Sequence, residues 1–253
     1  MSRKIRFTRK AVAATAAVVA VAMGGTTTAA QAAVSVKVID YPNFDSGPDL
    51  SLRGVASLVK PANKPTVLRL VKNKNHTTGA AWAAPKINPT KPFVASFVAL
   101  SQGGAVHGDG IAFVFQGAGN KALGWDGGGM GYSGIKPSLA VEFDTYKNPY
   151  DINANHVAIV TGGNAEVQTV SATAPVNLVG KEYRGTVIYD PATKNLRVFV
   201  SAASVAGYGT QVINRTIDLA KAVGTGPVNV GFTSANGTHY GVQDIISWTM
   251  VAG

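Results

Sequence analysis

Short β-type runs, separated by Gly, Pro, Asn and Asp, succeed one another through most of this chain. Val34 to Ile39, Val67 to Val71, Phe93 to Leu100, Ile111 to Phe115 and Leu139 to Phe143 come first. His156 to Val160, Gly185 to Tyr189, Leu196 to Val200, Val228 to Phe232 and Ile245 to Val251 follow. Repeated short strands with turn signals between them are the signature of an antiparallel β-sandwich. Leu219 to Val223 alone hints at a helical turn. No internal repeat, linker or low-complexity tail interrupts the series, so one all-β domain over residues 34–253 is expected.

The first 33 residues read differently. Arg3, Lys4, Arg6, Arg9 and Lys10 form a basic start, Ala11 to Met23 is a short apolar stretch, and Ala30-Gln31-Ala32 is a small-x-small cleavage pattern. That order is a secretion signal, and no later run approaches membrane length. The mature protein is expected to be secreted, extracellular and without a membrane anchor. Removing the five basic residues at positions 3–10 leaves 18 Lys+Arg against 13 Asp+Glu, a net charge of +5. That excess is spread out, whereas nucleic-acid binding requires a concentrated basic patch. The chain has no cysteine. A secreted protein without disulfides must be held by its core or by metal.

One segment concentrates the chemistry. Glu142-Phe143-Asp144-Thr145-Tyr146-Lys147-Asn148-Pro149-Tyr150-Asp151 is followed closely by His156. Glu142 and Asp144 end a strand-like run and, two residues apart, share one face of it. Two buried like charges on one face require a positive partner, and a divalent cation is the obvious one. Carboxylate, amide and carbonyl oxygens suit calcium. Imidazole suits a transition ion such as manganese. Two neighbouring ions could share Asp144 and Asp151. His156 and Glu142 would complete the transition-metal side; Asn148 and the carbonyl of Tyr146 would complete the calcium side.

The pattern Glu-x-Asp-x-x-x-Asn-x-x-Asp-x-x-x-x-His closely resembles the metal loop of the legume-type (L-type) lectins. Other segments agree, in order. Residues 43–54 look like that family's first strands, and Gly79-Ala80-Ala81-Trp82 follows where its Gly-x-Ala-Trp-like segment stands. His107-Gly108-Asp109-Gly110-Ile111-Ala112-Phe113 is similar to its Ala-Asp-Gly-x-x-Phe segment. Gly127-Gly128-Gly129-Met130-Gly131 is similar to its Gly-Gly-x-Leu-Gly loop. Val230-Gly231-Phe232 and Ser247-Trp248 resemble its closing strands. Each motif is weak by itself; the ordered set, spanning nearly all of 40–250, is specific.

The resemblance implies a jelly-roll β-sandwich with a shallow sugar site over a calcium–manganese pair. It makes Asp109 the acceptor for a sugar hydroxyl, after a cis peptide from Gly108. Asn148 would donate its amide N–H to the sugar while its oxygen binds calcium, and the Tyr146 ring would lie beside the sugar. Backbone N–H groups at Gly128 or Gly129 would add a donor. The loop Ala235 to Tyr240 matches in length the short specificity loop of glucose/mannose-type members, with Thr238 and the backbone of His239 as its contacts. The family position often held by Glu or Asp is His239 here. Sugar hydroxyls both donate and accept, so a fixed carboxylate, amide and N–H suit them.

Trp82 and Trp248 fall in β-type runs and are expected in the core; Trp125, in a Gly-rich loop, is expected to be exposed near the site. His76 and His107 have no partner in sequence and read as surface residues. Asn75-His76-Thr77, Asn214-Arg215-Thr216 and Asn236-Gly237-Thr238 fit the glycosylation acceptor pattern. Catalysis is not expected. A related jelly-roll hydrolase family uses Glu-x-Asp-x-x-Glu, but Tyr146 or Lys147 stands where the last carboxylate is needed. A structural module that keeps the metal loop for stability alone is the other alternative. The expected partners are glycans or glycoconjugates, bound on the order of 0.1–10 mM per monosaccharide in so open a site. Multivalency would then matter, and a homodimer fits that need although no sequence feature requires one.

Overall fold

The computed structural model describes residues 36–103 and 107–253. The expected signal over 1–33, and the start of the expected first strand at Val34, lie outside the described residues. The strands are β1 (Val36–Tyr41), β2 (Leu50–Gly54), β3 (Ser57–Val59), β4 (Val67–Val71), β5 (Thr77–Ala83), β6 (Phe93–Gln102), β7 (Gly110–Gln116) and β8 (Ser138–Asp144). After them come β9 (His156–Thr161), β10 (Gln168–Thr173), β11 (Tyr183–Asp190), β12 (Asn195–Ala202), β13 (Thr210–Thr216), β14 (Asn229–Asn236) and β15 (Val242–Ala252). The helical turn α1 spans Leu219–Val223, as the sequence suggests, and Asp218 caps it by accepting from the Lys221 N–H.

Every expected run overlaps a strand. Five strands lie outside those runs, β2, β3, β5, β10 and β13, and all of them but β5 end a sheet. End strands bury little of either face, so their sequences alternate only weakly.

The strands form two antiparallel sheets. A seven-stranded sheet runs β10-β9-β8-β7-β14-β5-β2. An eight-stranded sheet runs β13-β12-β11-β6-β15-β4-β3, with β1 also paired to β15. The jelly-roll sandwich is the expected architecture. Its main core lies between the sheets and is strongly aromatic. Phe97 meets Phe143 and Phe232 edge-on at 5.1 and 4.9 Å between centroids, and Trp248 meets Phe232 at 4.9 Å. Such pairs add directional preference to burial.

A second core lies on the other face of the seven-stranded sheet. Along β7, Ile111, Phe113 and Phe115 face the main core while Ala112 and Val114 face the second. The long connection between β7 and β8 folds over this outer face, bringing Met130, Tyr132 and Ile135 onto Ala80, Trp82, Ala112 and Ala140. Small side chains on the sheet leave room for that cover. Trp82 and Trp248 are both fully buried, as expected. Among the described residues no helix is long and apolar enough to cross a membrane.

Candidate functional site

Glu142 and Asp144 lie on β8 and share the outer face of the seven-stranded sheet, as alternation requires. The register of β8 with β9 sets Asp144 directly opposite His156 and Glu142 opposite Ala158. The loop after β8 returns Asp151 to the same spot. Asp144, Asp151 and His156 are buried, and each offers a ligand atom within 4.8 Å of the others'. His156 Nε2 stands 3.5 Å from Asp151 Oδ1. His156 Nδ1 meets the Asn153 carbonyl at 2.7 Å, so Nδ1 holds the proton and the Nε2 lone pair faces the carboxylates.

Glu142 stands apart from that trio. One of its oxygens accepts the Tyr132 hydroxyl, and the other is buried without a partner. Asn148 Oδ1 is likewise buried and unpartnered. Orphaned oxygens beside crowded carboxylates are the donor set a hard cation completes. Burial pushes the Glu142 carboxyl up to about 8, and nearby Asp151 adds to the shift. Burial, then the charge of Glu142, raises Asp144 well above the usual range. Burial also raises Asp151 and lowers His156. These groups resist ionising together without a cation among them.

Two neighbours of this cluster escape the sequence pattern. Tyr132 comes from the cover over the outer sheet face. Gln168, from β10, directs its amide N–H at Asp151 Oδ1 (2.7 Å) and at His156 Nε2 (3.2 Å). The hairpin register pairs Gln168 with Val160 and gives His156 to Thr173, so no spacing in the sequence marks it.

Four loops converge above the cluster. Asp109 ends the first; the Gly108–Asp109 peptide is cis. Its backbone is clamped on both sides, its N–H donating to the Ala235 carbonyl and its own carbonyl accepting from Thr145. Its Oδ2 accepts the Gly237 N–H at 2.9 Å. Burial raises this carboxyl to about 7, against the lowering by the Gly237 bond. Gly237 in turn packs on Gly127 of the glycine-rich loop, and Gly128 packs on Asn148 of the loop after β8. A Cβ on Gly128 would stand 2.9 Å from Asn148 Nδ2 and 2.8 Å from Tyr150 Oη, so no larger residue fits.

The remaining expected residues divide. Tyr146 is half-buried and its ring stacks on His239 at 4.5 Å between centroids and 25° between planes. The His239 side chain thus covers one face of Tyr146. It also explains Gly108, where a Cβ would press to 3.0 Å on the His239 Cβ. Thr238 is exposed on the loop tip. Gly129 requires a correction: its N–H donates to the Asp126 carbonyl at 3.0 Å and is not free for a sugar. Gly237, not anticipated, is the residue of the last loop that reaches Asp109. Trp125 is 69 % exposed beside the site, as expected.

His76 is exposed, as expected, and meets partners the sequence does not announce: its Nδ1 lies 3.0 Å from Asp126 Oδ2 and its backbone N–H donates to the Gly237 carbonyl. His107, expected at the surface, is half-buried. Asn236 is fully buried and its amide is spent on the carbonyls of Lys72, Lys74 and Gly241, so its acceptor pattern is closed to glycosylation in the folded chain.

Known proteins carry the same architecture. A lectin of Leucomphalos mildbraedii is 27% identical over 231 residues, covering 83% of this chain and 92% of that one. A bark agglutinin sequence of Robinia pseudoacacia is 29% identical over 228 residues, covering 84% and 80% respectively. The crystal structure of basic winged bean lectin with Tn-antigen superposes with a TM-score of 0.73 at 24% identity, covering 87% of this chain and 98% of that one. These relatives are lectins and agglutinins rather than enzymes, in keeping with the missing carboxylate after Asp144. The family model for the legume lectin beta-barrel domain matches residues 40–247, and the chain belongs to that family.

Proposed function

We propose that the chain is a secreted lectin that binds glycans through a metal-supported site. Asp109 accepts from sugar hydroxyls, the Asn148 amide and the Gly128 N–H donate to them, and Tyr146 with the Thr238–His239 tip borders the sugar. Asp144, Asp151 and His156, with Glu142, hold a transition ion such as manganese. Asp144, Asp151, Asn148 and the Tyr146 carbonyl hold calcium. The cations supply the positive charge these carboxylates need to ionise together, and so fix Asn148 in one orientation.

The observation that carries this reading is the pairing of two incomplete halves. A buried carboxylate, Asp109, sits where four loops meet, and one of those loops carries an amide whose oxygen, Asn148 Oδ1, is buried without a protein partner. A relative's structure with Tn-antigen supports glycans as the ligand class. The test is a glycan array run with calcium and manganese, then with a chelator. Binding in the first condition and its loss in the second are expected. Absence of glycan binding with both cations present overturns the reading.

A further inference from the structure

The peptide unit that carries Asp109 is pinned at both of its polar atoms. The Asp109 N–H donates at 3.0 Å to the carbonyl of Ala235, on β14 of the seven-stranded sheet. The Gly108 carbonyl, the other end of the same peptide, accepts from Gln243 Nε2 at 3.3 Å. Gln243 lies at the start of β15, in the eight-stranded sheet. The peptide is therefore held from both layers of the sandwich.

Gln243 is fully buried, and so is Ser101 of β6, its partner in register. The Ser101 hydroxyl donates to Gln243 Oε1. A carbonyl oxygen only accepts, so the Gln243 amide must turn its NH2 to Gly108 and its oxygen to Ser101. A buried amide paired at both ends is rigid, whereas a half-paired one is costly.

The same stretch of chain grips Asp109 elsewhere. Residues 235–243 supply the Ala235 carbonyl, the Gly237 N–H on Oδ2 at 2.9 Å, and the Gln243 amide. Asn236 fastens this stretch from behind, through the carbonyls of Lys72, Lys74 and Gly241. The hydrogen bonds of Gln243 go to Ser101 and Gly108, and neither is to Asp144, Asp151 or His156.

We propose that Gln243 is a positioning residue for sugar recognition. Backed by Ser101, it fixes the Gly108–Asp109 peptide and so the direction in which Asp109 meets a sugar hydroxyl. This inference rests on the proposed lectin function. Removing the amide leaves the Gly108 carbonyl a buried acceptor without a partner, and the peptide turns or takes in water to satisfy it. Either response moves the Asp109 carboxylate, and a binding group must be held to within about 0.5 Å of its working place.

The test titrates methyl mannoside and methyl galactoside into the protein loaded with calcium and manganese, by calorimetry. Manganese is titrated separately into chelator-treated protein. Gln243→Leu should weaken whichever sugar the wild type binds by at least ~10-fold, while manganese affinity stays within ~2-fold. Ser101→Ala keeps the amide but frees its oxygen, and should weaken the sugar by about 3-fold. It carries the test if Gln243→Leu does not fold. Asp244→Asn, the next residue of β15, pairs with Arg69 instead and controls for lost stability. Its sugar affinity should stay within ~2-fold of wild type. Sugar affinity within ~2-fold of wild type in Gln243→Leu, or in Ser101→Ala where the first variant does not fold, overturns the positioning role and leaves the lectin reading standing. Equal loss of sugar and manganese affinity, or an equal sugar loss in Asp244→Asn, overturns it as well. No binding of either sugar by the wild type overturns both.

Discussion

Asp109 and Gly237 lie 128 residues apart in the chain, yet the Gly237 N–H donates to Asp109 Oδ2 at 2.9 Å. The bond closes two loops from β7 and β14, which are neighbours in the seven-stranded sheet. It occupies one carboxylate oxygen and leaves the other for a ligand. Asp109→Ala is expected to weaken glycan binding at least ~10-fold, while stability changes by no more than about 1 kcal/mol, the net worth of one hydrogen bond. Asp109→Asn keeps an acceptor for Gly237 but presents one fewer acceptor to the sugar, and should bind weakly too. Calorimetric titration and denaturant melts check both; glycan affinity of Asp109→Ala within ~2-fold of wild type removes Asp109 from the site.

The acidic cluster sets a pH dependence whose sign is fixed by its burial. Asp109 and Glu142 rise from ordinary values of 3.8 and 4.5 to about 7 and about 8, and Asp144 and Asp151 are also raised. Between the ordinary and the folded values the unfolded chain binds fewer protons than the folded one. Stability therefore falls as pH rises through that window. His156 opposes this, since burial lowers its pKa and favours the folded state as pH rises. Four carboxylates against one imidazole leave the acid trend dominant. In chelator, the melting temperature should drop from about pH 4 to about pH 8. With calcium and manganese the drop should shrink or reverse. Identical profiles with and without cations would falsify the metal assignment.

The strands of the sandwich core are legible in the sequence because β6 alternates buried and half-buried residues while β7, between two cores, is a nearly continuous apolar run. Glu142, Asp144 and His156 are legible for the same reason: period two puts the carboxylates on one face, and a following strand brings His156 opposite Asp144. Gln168 and Gly237 are not legible in this way. Gln168 sits on β10, a sheet-end strand with weak alternation, and Gly237 acts through its backbone, which carries no residue signature. Gly129 misleads for the converse reason. A glycine-rich loop offers several N–H groups, and only the folded turn shows that this one is already given to Asp126. The stacking of His239 on Tyr146 is not legible either, because it depends on how two distant loops meet.

Gly128 brings the glycine-rich loop against the loop after β8. Adding a methyl would drive it against Asn148 Nδ2 and Tyr150 Oη. Gly128→Ala is expected to displace Asn148, weakening sugar and calcium together by ~10-fold or more, at a stability cost of about 1–3 kcal/mol for overpacking. Parallel titrations with calcium and with a bound glycan measure this. Loss of one affinity without the other shows that Asn148 does not serve both.

Arg69 on β4 and Asp244 on β15 are opposed in register and form a two-pronged pair, both contacts at 2.8 Å, with Asp244 nearly buried. The pair lies in the eight-stranded sheet, whereas the proposed sugar site lies on the seven-stranded one. Asp244→Asn leaves the guanidinium without its anion and should cost about 1–3 kcal/mol in denaturant unfolding. Glycan affinity measured on the still-folded variant should be unchanged. A marked affinity loss there means that the two sheets communicate through β15.

Gln168 offers the sharpest handle on the cation itself. Its amide N–H reaches Asp151 Oδ1 and His156 Nε2, the atoms a transition ion would claim. A cation repels that N–H, so the amide must rotate to present its oxygen or withdraw. Gln168→Glu replaces a neutral donor with a carboxylate at the same reach. Without cations, it adds like charge to an already crowded site and should lower the melting temperature. With manganese, the added hard ligand should tighten binding by about 10-fold and more than recover the loss. Manganese titration followed by calorimetry, with melting curves in chelator alongside, reads both arms. A variant that melts lower in chelator and binds manganese no more tightly places the transition ion elsewhere than between Asp151 and His156.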